Sequence, residues 1–227
     1  MILVDLLPIA VLGAVLGMDV VTFPQAMISR PIVAATIAGA FIGNAPAGLV
    51  MGAVLELLAL EMLPFGASRY PEWGSASVAG GALFAAQPGD PAGALAASLL
   101  AALVTAMLSG RSMVWLRRLN ASRATRYRSE LDKGSSDAVT GLQLYGLTND
   151  LVRGFLVTFV AMLAFTPLMD AIVGTWGTDA RYSRGAVVAI VAAVSAGAVW
   201  KIFHSVSRAR LLFVTGLAIG TTILVMR

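Results

Sequence analysis

The stretch RPIVAATIAGAFIGNAPAGLVMGAVLELLALEMLPFGASRYPE, Arg30 to Glu72, decides the fold class. It is mostly apolar, yet it carries five glycines together with Asn44, Pro46, Glu56 and Glu61. One unbroken helix over residues 31–64 would be about 50 Å long, far beyond the ~30 Å hydrocarbon layer of a bilayer. The segment is therefore either the core of a soluble protein or an interrupted membrane element.

Composition separates these two readings. Of the 227 residues, 58% are hydrophobic and only 12% charged, and mean hydropathy is +0.85; a soluble domain carries about twice that share of charge. Ala92 to Leu108, Phe155 to Met169, Gly185 to Trp200 and Leu211 to Met226 are apolar and almost free of charge, at or near spanning length. Too little polar sequence is left to build a solvated surface around them. The reading is an all-α polytopic membrane protein of about six spans plus broken or re-entrant helices. The N-terminus, MILVDLLPIAVLGAVLGMDVV, has no basic leader and no A-x-A cleavage pattern, and reads as an uncleaved first span. The absence of cysteine removes disulfides and thiolate metal sites.

Charge sets the orientation. Arg111, Arg117, Arg118, Arg123, Arg126, Arg128 and Lys133 face only Glu130 and Asp132, so this segment is expected on the cytoplasmic side. A basic run also suits nucleic acid, but beside membrane spans it reads as a topology signal or a contact to anionic lipid. Lys201, Arg208 and Arg210 return the chain to the same side. The linker DAIVGTWGTDARYSRG then faces outward, against the pull of Arg181 and Arg184.

The expected order is a first span at 3–21, the elbow TFPQAMISRP, the interrupted segment 31–64, a short helix at 74–86 and a long helix from Ala92 to Leu119. A polar cytoplasmic connection at 120–148 follows, turning at Gly134 to Ser136, then spans at 151–172, 185–203 and 208–226. The whole chain, 1–227, reads as one membrane-embedded unit, with an N-terminal half at 1–119 and C-terminal spans within 149–227. No segment is large enough for an ATPase, a kinase or a receptor module.

Within Arg30 to Glu72, GNAPAG joins two glycines to a proline that lacks an amide proton and disfavours helix at Ala45. Two half-helices are expected, Pro31 to Ile42 and Ala47 to Leu63, neither of which comfortably spans a bilayer. Irregular backbone at membrane depth persists only inside protein or along a cavity, and broken helices mark substrate sites in many transporters. Glu56 at the bilayer centre costs about 2.5 to 3.5 kcal/mol if it faces lipid. It is expected either to line a ligand site or to lock packing through Arg30 or Arg153. Glu61, near the helix end, is expected to snorkel to the interface or pair structurally. Asn44 either bonds a ligand hydroxyl or caps the broken helix.

These residues carry a resemblance. The stretch resembles the N-terminal half of the membrane-embedded enzyme IIC component of the mannose, fructose and sorbose group of the bacterial phosphotransferase system. Arg30-Pro31, Gly43-Asn44, Gly48, Gly52, Leu55-Glu56, Gly66-Ala67, Pro71-Glu72 and Ala76-Ser77 match that family's pattern in order and spacing. Arg153 at the opening of a span, the glycine-bearing helix after Arg184 and the final LLFVTGLAIG extend the likeness to nearly the whole chain. Asn44 and Glu72 stand where the family usually has aspartate.

The resemblance implies a multi-pass permease of the bacterial cytoplasmic membrane that moves a hexose inward while a IIB protein phosphorylates it. The implied partners are an enzyme IID membrane subunit and the IIA and IIB phosphoryl carriers, in a homo-oligomer of IIC–IID units. Asn44, Glu56, Ser68, Arg69 and Glu72 become the candidate sugar contacts, with Arg30, Arg153 and Glu61 as structural partners. No cofactor, metal or phosphoryl-carrying residue is expected in this chain. Its one histidine, His204, lies in a short basic turn and reads as interfacial. Two other readings stay open: a membrane scaffold that has lost transport, and an ion-coupled carrier with Glu56 as its proton site.

Overall fold

The computed structural model describes residues 3–60, 70–87, 89, 92–175 and 180–226. Among these residues all regular secondary structure is helical, without a strand. In order the helices are α1 (Leu3–Met18), α2 (Pro31–Ile42), α3 (Ala45–Ala59), α4 (Trp73–Ala85), α5 (Ala92–Arg126), α6 (Arg128–Asp132), α7 (Ser136–Thr175), α8 (Ala180–Phe203) and α9 (Ala209–Val225).

The interruption in the opening stretch has a local cause. Gly43 sits at φ 93°, a left-handed conformation that ends α2 at low cost only for glycine. The Asn44 side chain then caps α3 by accepting from Ala47 N–H at 3.2 Å. The break is shorter than the expected Gly43 to Ala47. Pro46 lies in the first turn of α3, where a missing amide proton leaves no hydrogen bond unmade. The two halves have 12 and 15 residues, about 18 and 22 Å, so neither crosses a ~30 Å core alone.

The halves fold back on each other as a hairpin whose seam is backbone against backbone. A Cβ on Gly39 would stand 2.7 Å from Gly48 Cα, and one on Gly52 would stand 2.8 Å from Ile32 Cα. Small residues permit this approach, as in membrane helix pairs generally. Gly48→Val should therefore force the hairpin apart and cost at least about 1–3 kcal/mol. Gly197→Val in α8, where nothing lies within 4 Å of an added Cβ, is the matched control. Thermal unfolding in detergent reads the difference, and equal unfolding temperatures would refute the tight seam.

At the centre stands α4, all of whose residues are buried. Its glycines, alanines and serines keep it thin enough to be surrounded. Gly81 packs on Ala35 of α2, Gly80 on Ala102 of α5, and Gly74 on Leu16 and Gly17 of α1. Gly13 and Ala14 of α1 meet Thr158 and Gly154 of α7. The small-residue faces GAVLGM and AGGALFAA are thus consumed inside the chain.

The long helices depart most from expectation. α5 has 35 residues and α7 has 40, about 52 and 60 Å. Both overrun a bilayer. Residues 120–148, expected as a polar connection, largely continue these two helices, with α6 and the turn at Gly134 (φ 75°) at the far end. The segment lacks proline, and its arginine, leucine, alanine, glutamate, glutamine and lysine residues favour helix. Segments Gly93–Arg126 and Ser136–Thr175 are long and apolar enough to cross a membrane. They run antiparallel, since Ser98 meets Met169, Ser109 meets Arg153, and Asn120 faces Gly146.

This arrangement gives the bundle two ends. Asn44 Nδ2 donates to Ala85 O at 3.4 Å, which puts the hairpin tip beside the C-terminus of α4. The N-terminus of α4 lies at the other end, near the basic extension of α5. By contrast α9 packs little on the rest and leaves Leu211, Leu212, Val214, Leu217, Ile219 and Ile223 exposed.

Candidate functional site

Four helices converge where α4 begins. Glu72 caps α4 by accepting from Ser75 N–H at 3.1 Å through Oε1. Its Oε2 accepts from the Ser109 hydroxyl of α5 at 2.6 Å, and its own N–H donates to Ala106 O at 3.0 Å. From α7, Arg153 Nη1 donates to Ser109 Oγ at 2.7 Å and lies 4.0 Å from Glu72 Oε2. Arg153 Nε donates to Asp150 Oδ1 at 2.8 Å, and Thr22 of the elbow donates to Asp150 Oδ2. Ser75 Oγ donates to Gly13 O at 3.2 Å, which ties α1 to the same point.

These charges are out of water: the side chains of Arg153, Glu72 and Asp150 are 7%, 0% and 1% exposed. Buried ions are tolerated when paired and hydrogen-bonded, and most of this network meets that condition. Arg153 Nη2 does not, for it is buried with no partner. Trp73 Nε1 and Ser77 Oγ, one turn apart on α4, are likewise buried and unpartnered. An unused guanidinium donor beside two carboxylates suits a ligand that both gives and takes hydrogen bonds, as a polyhydroxyl compound does.

The residues singled out from sequence do not form one group. Asn44 works at the hairpin tip, at the far end of α4 from Glu72, about 20 Å along a 13-residue helix. Glu56 pairs with Arg30 and accepts from Ile32 N–H at 3.2 Å. It thereby meets both a guanidinium and an orphan amide at the N-terminus of α2. Arg153 pairs with Glu72 and Asp150 instead. Ser68, Arg69 and Glu61 lie outside the described residues.

Sequence reading missed Asp150, Ser109, Ser75 and Thr22, which complete the Glu72 network. It also missed Asp19, which is buried and accepts from Ala26 N–H, Ser29 N–H and Ser29 Oγ at 2.7, 2.9 and 2.9 Å. Asp19 organises the elbow between α1 and α2. A lone carboxylate closing an apolar run was the available signal. His204 Nδ1 lies 2.7 Å from Lys201 O in the exposed turn before α9.

The family model described as the sorbose-specific IIC component of the phosphotransferase system matches residues 3–181. No curated protein matches the sequence. A solved structure described as a membrane protein superposes with TM-score 0.70 at 18% identity, over 100% of this chain and 94% of that one. The mannose transporter ManYZ, solved by cryo-electron microscopy in complex with microcin E492, superposes with TM-score 0.62 at 19% identity, over 100% of this chain and 95% of that one. At these identities the likeness is one of fold, and the fold is that of an all-helical membrane protein.

Proposed function

Because the chain belongs to the sorbose-specific IIC component family of the phosphotransferase system, and is thus a sugar permease component, we propose that it is the subunit through which a hexose moves inward while a IIB protein phosphorylates it. The observation that carries this reading is the buried cluster of Glu72, Asp150, Arg153 and Ser109, which lies within the matched residues. Arg153 Nη2 donates to sugar hydroxyls, and Glu72 and Asp150, whose oxygens are already engaged, hold that guanidinium in place and accept from a hydroxyl through their remaining lone pairs. Such charge-assisted bonds contribute roughly 1.5–3 kcal/mol each. Trp73 Nε1 and Ser77 Oγ offer further donors. Asn44 shapes the hairpin at its tip and Glu56 at its base, and Ser68 and Arg69 remain proposed sugar contacts on the segment leading into Glu72.

The proposed setting is the bacterial cytoplasmic membrane, with a IID membrane subunit, IIA and IIB carriers, and assembly of IIC–IID units into a homo-oligomer. Exposed apolar faces on α1, α5, α7, α8 and α9 are available to lipid or a partner. Uptake of labelled mannose, fructose and sorbose, driven by phosphoenolpyruvate in vesicles holding the chain with its partners, tests the reading. Failure of all three sugars to accumulate as phosphates would reject it.

The basic end is proposed to face the cytoplasm. The natural chain has no cysteine, so single cysteines at Ser122 and Ser135 report cleanly. Both should resist an impermeant thiol reagent outside intact cells and react after permeabilisation. Labelling from outside would invert the topology.

A further inference from the structure

The Glu72 cluster continues, along the same faces of α5 and α7, into a cavity at the basic end. On α5 the face runs Ser109, Ser112, Leu116, Asn120, and on α7 it runs Arg153, Asp150, Gly146, Gln143. The spacings of three and four residues keep each set on one side of its helix. The cavity has a volume of about 540 Å³, within the usual range for a small-molecule site. Thr22, Phe23, Arg117, Asn120 and Gln143 are among its walls, and none of the described residues lining it is acidic. The Thr22 hydroxyl that holds Asp150 also lines the cavity, so the two sites share a wall.

Two features point to a ligand here. Asn120 Oδ1 is buried without a hydrogen-bond partner, and such an amide oxygen is normally paired. Arg117 brings a fixed positive charge, its Nη2 donating to the Tyr70 hydroxyl at 2.5 Å and its guanidinium lying 5.0 Å from the Tyr70 ring. Tyr70 stands two residues before Glu72, so the guanidinium is anchored to the strand of chain that leads into the inner cluster.

The two sites differ in charge. The inner cluster holds two carboxylates against one guanidinium, which suits a neutral sugar. The cavity, about 16 Å farther along α5 from Ser109 to Asn120, holds a guanidinium, two amides and a hydroxyl. A phosphate monoester carries about −1.5 to −2 charge at neutral pH, so it is disfavoured beside Glu72 and Asp150 and favoured beside Arg117.

We propose that this cavity binds the phosphorylated sugar, as a product station between the inner cluster and release at the basic end. The proposal rests on the translocation reading above. Arg117 meets the phosphate, Asn120 and Gln143 meet ring hydroxyls, and the Phe23 ring and aliphatic walls cover the sugar's apolar face.

Mannose 6-phosphate and fructose 6-phosphate are the probes, with inorganic phosphate as the comparison, measured by equilibrium dialysis on the chain co-purified with its membrane partner. At least one hexose phosphate should bind more tightly than inorganic phosphate. Asn120→Leu and Gln143→Leu should each weaken it about tenfold, the loss of one hydrogen bond to a charged or polyhydroxyl ligand. Unchanged affinity in both variants, or hexose phosphate no tighter than inorganic phosphate, would overturn the proposal.

A second readout does not depend on those variants. An added Cβ at Gly146 meets only Asn120 Nδ2, at 3.6 Å. Gly146→Cys should therefore fold, react with N-ethylmaleimide, and be protected by hexose phosphate but not by inorganic phosphate. Phosphorylating uptake without protection would reject the cavity alone. Protection without uptake would reject the translocation reading and leave a hexose phosphate site.

Discussion

Arg153→Met should destabilise the protein by about 3–5 kcal/mol and abolish sugar uptake, the largest effect expected of any single substitution here. The guanidinium is the common partner of two buried carboxylates, lying 2.8 Å from Asp150 and 4.0 Å from Glu72. Removing one member of a buried ionic group leaves the others uncompensated, and that is where the cost arises. Methionine fills most of the volume, so cavity formation is a minor part. Loss of uptake alone would not separate a sugar-binding role from a structural one. The triple variant Glu72→Gln, Asp150→Asn, Arg153→Met does, because it removes every charge together and should recover stability to within about 1–2 kcal/mol of the natural chain. A recovered fold that still fails to bind or move sugar supports the proposed contacts. A recovered fold that transports normally would mean that the cluster only holds α1, α4, α5 and α7 together.

The contrast between Glu56 and Glu72 shows what a sequence can reveal here. Arg30 and Glu56 lie equally far from Gly43, on either side of the turn. Once the break is recognised, a hairpin brings them face to face, and Arg30 could be named as a partner from local rules alone. The helix break itself is equally local, since glycine, asparagine and proline act on their own backbone. The bond between Glu72 and the α5–α7 pair is of another kind. Ser109 and Arg153 are 37 and 81 residues away, and their meeting depends on how far each long helix slides against α4. A shift of one turn, about 5.4 Å, would pair other residues. Ser109 and Asp150 therefore looked like ordinary polar positions near the ends of spans. The protruding length of α5 and α7 was hidden for a related reason: hydropathy marks where lipid contact ends, and helix continues past it wherever propensity allows.

Glu56→Gln carries the second large prediction, and the pairing of Glu56 with Arg30 favours the packing role among the two that the sequence left open. A carboxylate lining a sugar site would lose one to two orders of magnitude in affinity on amidation while the fold persisted. Here both oxygens are already engaged, one by Arg30 and the other by Ile32 N–H at 3.2 Å. A sugar hydroxyl would compete for those oxygens with a guanidinium and a helix N-terminus. Glutamine keeps one acceptor but loses the charge that satisfies Arg30 and the positive end of α2. Arg30 is 36% exposed, so solvent softens the loss to about 1–2 kcal/mol rather than the full cost of a buried ion. The expected outcome is a lower unfolding temperature with sugar affinity within about threefold of the natural chain. Arg30→Gln should produce a similar shift, and the double variant should cost less than the two single changes added, because the same pairing is lost in each. Additive costs would mean that the two side chains do not act on each other. A tenfold loss of affinity at unchanged unfolding temperature would restore Glu56 to the sugar site and oblige the hairpin base to rearrange when sugar binds.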